Sequence, residues 1–232
     1  MSPLSLNAIL LHLAEAHEEL RRLFAQMHFA IFGEVDDESI KDLESSVAQE
    51  ASLNPLTEAA VFSVMARAYR HLNIAWNGRH ASEERVRQDD PADIARWSRF
   101  PKDAVFRDLW PAPSRCRGTP RRPGRGRIEP NSLQAAFLQM AVRKLGSLRY
   151  IISFSLGDKR VPRPKGLRPG IETEPVTEEA FARRMHRIYS EMNTAWSYRK
   201  ERRCENLSRQ TVRRRAQFPR IFLATIASGA AP

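Results

Sequence analysis

The chain repeats itself, and that limits the folds open to it more than any other feature. Sliding the sequence along itself by 120 positions sets Pro55-Leu-Thr-Glu-Ala-Ala60 over Pro175-Val-Thr-Glu-Glu-Ala180. Across 55–79 against 175–199 the identities are Pro55/Pro175, Thr57/Thr177, Glu58/Glu178, Ala60/Ala180, Met65/Met185, Arg67/Arg187, Tyr69/Tyr189, Asn73/Asn193, Ala75/Ala195, Trp76/Trp196 and Arg79/Arg199. That is 11 of 25 positions without a gap, where chance predicts roughly one or two. Weaker matches flank it. Ser5, Leu6, Ala8 and Leu11 meet Ser132, Leu133, Ala135 and Leu138, and Phe100-Pro101-Lys102 meets Phe218-Pro219-Arg220. Two units of about a hundred residues predict a pseudo-twofold pair, since a solenoid needs at least three short repeats.

Helical periodicity fills both copies. Leu6, Leu10, Leu13, His17, Leu20, Phe24, Met27 and Ile31 recur at alternating spacings of four and three, which is an amphipathic helix with Gly33 as its stop. A short helix is expected over 38–49, capped by Asp36 or Asp37. Thr57 and Thr177 stand where N-caps belong, each followed by an acid at the positive end of the helix dipole. The buried stripe of the helix that follows is Phe62, Met65, Tyr69, Leu72 and Trp76 in the first copy. In the second it is Ala182, Met185, Tyr189, Met192 and Trp196. Further helices are expected over 93–98, 102–108, 131–153 and 203–215, and 150–156 is the one run that also suits a strand. The fold class is therefore all-α: two copies of a small helical unit, read as two small bundles packed through their aromatic helices.

Charge divides the same way. Residues 1–110 hold 12 Lys+Arg and 18 Asp+Glu, net −6, and residues 111–232 hold 26 and 9, net +17. Between the halves, the Pro, Gly and Arg of 111–127 replace apolar periodicity, so this stretch reads as an extended connector kept open by its own arginines. The segment 160–170, Arg-Val-Pro-Arg-Pro-Lys-Gly-Leu-Arg-Pro-Gly, reads as a second loop. The expected organisation is an acidic first repeat over 1–110, a basic linker over 111–130, a basic second repeat over 131–226 and a tail over 227–232.

Two sets of residues are candidates for binding. The repeated Tyr-x3-Asn-x2-Trp-x2-Arg, namely Tyr69, Asn73, Trp76 and Arg79 with Tyr189, Asn193, Trp196 and Arg199, projects into one broad sector of each helix. Such a face packs as core, or lines a groove in which Trp stacks on a base when paired across a pseudo-twofold, or serves self-association through Trp, Tyr and Arg anchors. The second set is arginine-rich: Arg121, Arg122, Arg125 and Arg127; Arg199, Arg202 and Arg203; Arg213, Arg214 and Arg215. Arg outnumbers Lys 32 to 6, and guanidinium forks grip phosphate bidentately, so a nucleic-acid partner is expected for the basic half. The acidic half, of the same chain or of a second copy, is the competing partner.

Several chemistries lack their residues. There is no phosphate loop and no dinucleotide fingerprint. His80 and Glu84 form an i,i+4 pair without a third ligand, and Cys116 and Cys204 make neither a disulfide framework nor a zinc site, so no cofactor is expected. The apolar runs at 8–14 and 221–227 fall far short of the ~20 residues of a membrane span. The start of the chain does not read as a secretory signal, which makes the cytoplasm the expected location. Arg22 and His28 stand at a spacing similar to the Arg-x(4–6)-His pair of HEPN-type ribonucleases, which are helical bundles; that resemblance would imply RNA cleavage, although Leu23 stands where a polar residue belongs. The sequence thus points to a non-catalytic protein that binds nucleic acid. The alternatives are a protein that self-associates through its acidic and basic halves and, third, a HEPN-like helical ribonuclease.

Overall fold

A computed structural model describes residues 4–34, 37, 40–53, 56–109, 129–158 and 160–198. Among them the chain is mostly helical and holds no strand. The helices are α1 (Leu6–Phe32), α2 (Glu44–Leu53), α3 (Glu58–Asn77), α4 (Glu83–Arg87), α5 (Pro91–Trp97), α6 (Ala104–Leu109), α7 (Ser132–Ser155) and α8 (Glu178–Ser197), with 3-10 turns at Lys41–Leu43 and Ile171–Thr173.

Local chemistry explains where these helices begin and end. Gly33 takes φ 79° at the end of α1, the left-handed conformation that costs glycine least, and its N–H returns to the Phe29 carbonyl. Thr57 and Thr177 cap α3 and α8 identically: each Oγ1 accepts from the backbone N–H three residues on, Ala60 and Ala180, at 3.1 Å. Asn131 caps α7 in the same way through the N–H of Gln134. The expected short helix after α1 starts later than its acidic residues suggest, at Glu44, because a 3-10 turn intervenes. The ambiguous run 150–156 ends α7 as helix and turn, since α7 packs along its length against α1 and α8 and rewards helical periodicity.

The four long helices pack as neighbours in the order α3, α1, α7, α8, and α8 meets α3 again. This differs from two small bundles meeting at a seam. One hydrophobic core runs through all four, with Leu13, Leu20 and Phe24 of α1, Met65 and Trp76 of α3, Leu138 and Leu145 of α7, and Met185 and Trp196 of α8. The stripe on α1 is wider than its four-three spacing suggests, because Ile9, Ala16 and Leu23 are buried too. A helix gripped on one side by α3 and on the other by α7 must be apolar over most of its circumference. A small satellite of Ala8, Ile74, Val86, Ile94 and Trp97 seats α4 and α5 on the end of α3. No helix of the described residues is long and apolar enough to cross a membrane.

Candidate functional site

The repeated constellation lies inside the protein. Tyr69, Asn73, Trp76, Tyr189 and Asn193 are fully buried and Trp196 is 2% exposed. The two copies bond to each other crosswise: Tyr69 Oη donates to Asn193 Oδ1, and Tyr189 Oη donates to Asn73 Oδ1 at 2.6 Å. Between these bonds the tyrosine rings stack with centroids 5.2 Å apart. Asn73 is then saturated in its other direction, donating from Nδ2 to the Ser98 carbonyl at 2.7 Å. Burial holds both phenols well above the usual tyrosine pKa, so they stay neutral and act as donors.

Trp76 packs on Phe106 and Phe181 and donates its indole N–H to Asp103 Oδ2 at 2.6 Å. Arg79 lies over the Trp76 ring at 4.1 Å and reaches into the second half, where Nε and Nη2 bond Glu178 Oε1 at 2.9 and 2.5 Å. Each helix therefore fills the other's polar and aromatic face. The basic candidates Arg121, Arg122, Arg125, Arg127, Arg199, Arg202, Arg203, Arg213, Arg214 and Arg215 lie outside the described residues.

Cations do converge elsewhere. A cleft of about 1010 Å³ opens between α1, α7 and the loop of 160–166, lined by Arg21, Arg143, Arg149, Arg160, Arg163 and Lys165 with a single carboxylate, Asp37. Five carboxylates in and around it match four of the arginines. Arg21 pairs with Glu18 and Asp42, Arg143 with Asp37 at 3.5 Å, Arg160 with Asp158 at 2.9 Å and Arg163 with Glu172 at 2.7 Å. Arg149 is different. Its one hydrogen bond among the described residues runs from Nη1 to His17 Nδ1 at 2.7 Å, and its buried Nε has no acceptor. Burial first and then the neighbouring Arg21 lower its pKa, against an opposing contribution from Glu18, so the cation is held where burial disfavours its charge.

His17 is the base of this arrangement. Because a guanidinium only donates, Nδ1 must be an unprotonated acceptor, so the ring is neutral with its proton on Nε2. Burial first, then Arg149 and Arg21, push its pKa down to about 3, against a smaller opposing contribution from the Val142 backbone. Gly146 makes room for the ring: a Cβ there would stand 3.1 Å from His17 Nε2. The sequence reading had placed His17 only on an apolar stripe and 160–170 only in a loop. The signal that could have found the cleft is Gly146, an isolated glycine inside a strongly helical stretch, which marks a close approach.

The remaining candidates stay apart. Arg22 is spent on Glu18 at 3.1 Å, while the His28 ring packs against Phe24 and Phe32 and bonds the Glu34 carbonyl at 3.0 Å, so the pair converges on no common point. His80 lies 3.7 Å from Glu178. No cluster of His, Cys, Asp and Glu fit to hold a metal occurs among the described residues. The chain matches no protein-family model, no curated protein and no solved structure.

Proposed function

We propose that the protein binds nucleic acid through its phosphates and performs no chemistry on it. The observation that carries this reading is the cation-lined cleft between α1 and α7, with Arg149 short of an anion at its base. The charge of the chain points the same way: +17 over 111–232 attracts a polyanion from a distance, and the cleft supplies guanidinium groups to meet it.

The binding unit is built from two copies of one helical element, 1–110 and 131–226, joined by a basic linker over 111–130. Three likenesses support the duplication: the crossed Tyr–Asn bonds, the twin threonine caps and the anchoring of the two leading helices. Ser5 N–H at the start of α1 bonds the Arg79 carbonyl after α3, and Asn131 Nδ2 at the start of α7 bonds the Tyr198 carbonyl after α8.

The test is fluorescence anisotropy of labelled DNA and RNA against the nuclease-treated chain over a range of salt, with a version lacking 114–127 alongside. Affinity falling log-linearly with salt, and falling again on the deletion, is the expected result. No binding at low salt would overturn the reading. Self-association through opposite charges is the second reading, supported by an ion pair that already joins the basic half to the acidic half within one chain, Arg143 to Asp37. It predicts a dimer in sedimentation that dissociates with salt and ignores nucleic acid.

A further inference from the structure

We propose that the cleft between α1 and α7 seats one strand of nucleic acid, with a backbone phosphate held by Nη2 of Arg149. This deepens the nucleic-acid reading and rests on it. Charge placement selects the anchor. Arg21, Arg143, Arg160 and Arg163 each hold a carboxylate, so what the cleft lacks is an anion at Arg149. Nη1 is committed to His17 and Nε is closed off from solvent, which leaves Nη2 as the donor that meets a phosphate oxygen. His17, neutral and unable to compete as a cation, fixes the guanidinium through Nη1, and Gly146 lets it stand there.

Size selects a single strand. A space of about 1010 Å³ taken as a sphere is about 12 Å across. The groove depths of B-DNA, about 8.5 and 7.5 Å, make a duplex at least about 16 Å wide. A duplex therefore meets the rim, while a single strand enters and brings its phosphates to the base. Among the described residues no Phe, Tyr or Trp lines the cleft, so none of them stacks on a base there and the seat is indifferent to sequence.

The experiment measures anisotropy with short single-stranded and duplex oligonucleotides of matched sequence, for the full-length chain and for Arg149→Met and Arg149→Lys. Circular dichroism and melting verify the fold of each, and Arg149→Lys retains the cation should the methionine variant be unstable. Expected are single-strand binding at least tenfold tighter than duplex, and at least a tenfold loss of single-strand affinity in Arg149→Met. The same variant should lower the log–log salt slope by about 0.7, the loss of one phosphate contact, and Arg149→Lys should keep the slope while losing affinity with the guanidinium that His17 holds in place. Nucleic acid bound as tightly by both variants as by the parent would overturn this site and leave the nucleic-acid reading standing. Duplex bound as well as single strand, with both sensitive to Arg149, would overturn the single-strand assignment. No binding of any nucleic acid at low salt would overturn both the reading and the site.

Discussion

Replacing Tyr189 by phenylalanine removes one oxygen from the centre of the molecule, and the structure indicates what that costs. Tyr189 Oη donates to Asn73 Oδ1 at 2.6 Å, both residues are fully buried, and the other end of Asn73 is spent on the Ser98 carbonyl. The variant loses a buried hydrogen bond and leaves Asn73 Oδ1 without its donor, a combination worth about 1–3 kcal/mol. A mid-range loss of about 2 kcal/mol should lower the melting temperature of a chain this size by about 4–8 °C. The assay is urea unfolding followed by tryptophan fluorescence, run as a double-mutant cycle with Asn73→Ala. In the Asn73→Ala background the acceptor is already gone, so Tyr189→Phe should cost less than about 0.5 kcal/mol. A coupling of about 1–2 kcal/mol is therefore expected. Equal costs in both backgrounds would refute the crossed bond. Unchanged stability with weakened ligand binding would return the Tyr–Asn face to the role of a binding groove.

Gln134 is fully buried in the first turn of α7, and neither its Oε1 nor its Nε2 has a partner, so Gln134→Met should stabilise by about 1 kcal/mol, read as a raised urea midpoint. Burial depresses the pKa of His17 to about 3 and, with help from His71, that of His12 to about 4, while in the unfolded chain both titrate near 6.5. The neutral forms belong to the fold, so stability is complete above pH 6.5 and declines as the pH falls towards those values. The loss should be on the order of 2 kcal/mol per histidine between pH 7 and 5, and His17→Gln should remove its share of the slope. A urea midpoint flat over that interval would contradict the burial of both rings. Thr57→Ala and Thr177→Ala each forfeit one cap bond to the N–H three residues on and should cost about 1 kcal/mol apiece by thermal melting, within a few tenths of each other.

Much of the helical framework was readable because its causes are local. The threonine caps, the Gly33 stop and the stripes Met65, Tyr69, Trp76 and Met185, Tyr189, Trp196 depend on residues within a turn or two, and each recurs in the structure. α4 was missed because five residues give too little periodicity to register, and it holds through the satellite contacts of Val86. The boundary between the two bundles was misread for a related reason. A stripe tells which side of a helix is apolar and not which helix covers it, and α1 turned out to lie between α3 and α7.

The cation-lined cleft shows that limit most sharply. Arg149 and His17 are 132 positions apart, and apart from Gly146 three residues earlier nothing near Arg149 distinguishes it from the many other arginines of the chain. The sequence by itself determined the long helices, their caps, the 120-residue offset of its repeat and the basic excess, since these follow from short-range propensity, periodicity and counting. Only the tertiary structure decided which arginines lining the cleft meet carboxylates and that Arg149 does not. Pairing of charges depends on distance in space, and packing α1 against α7 sets that distance at a glycine.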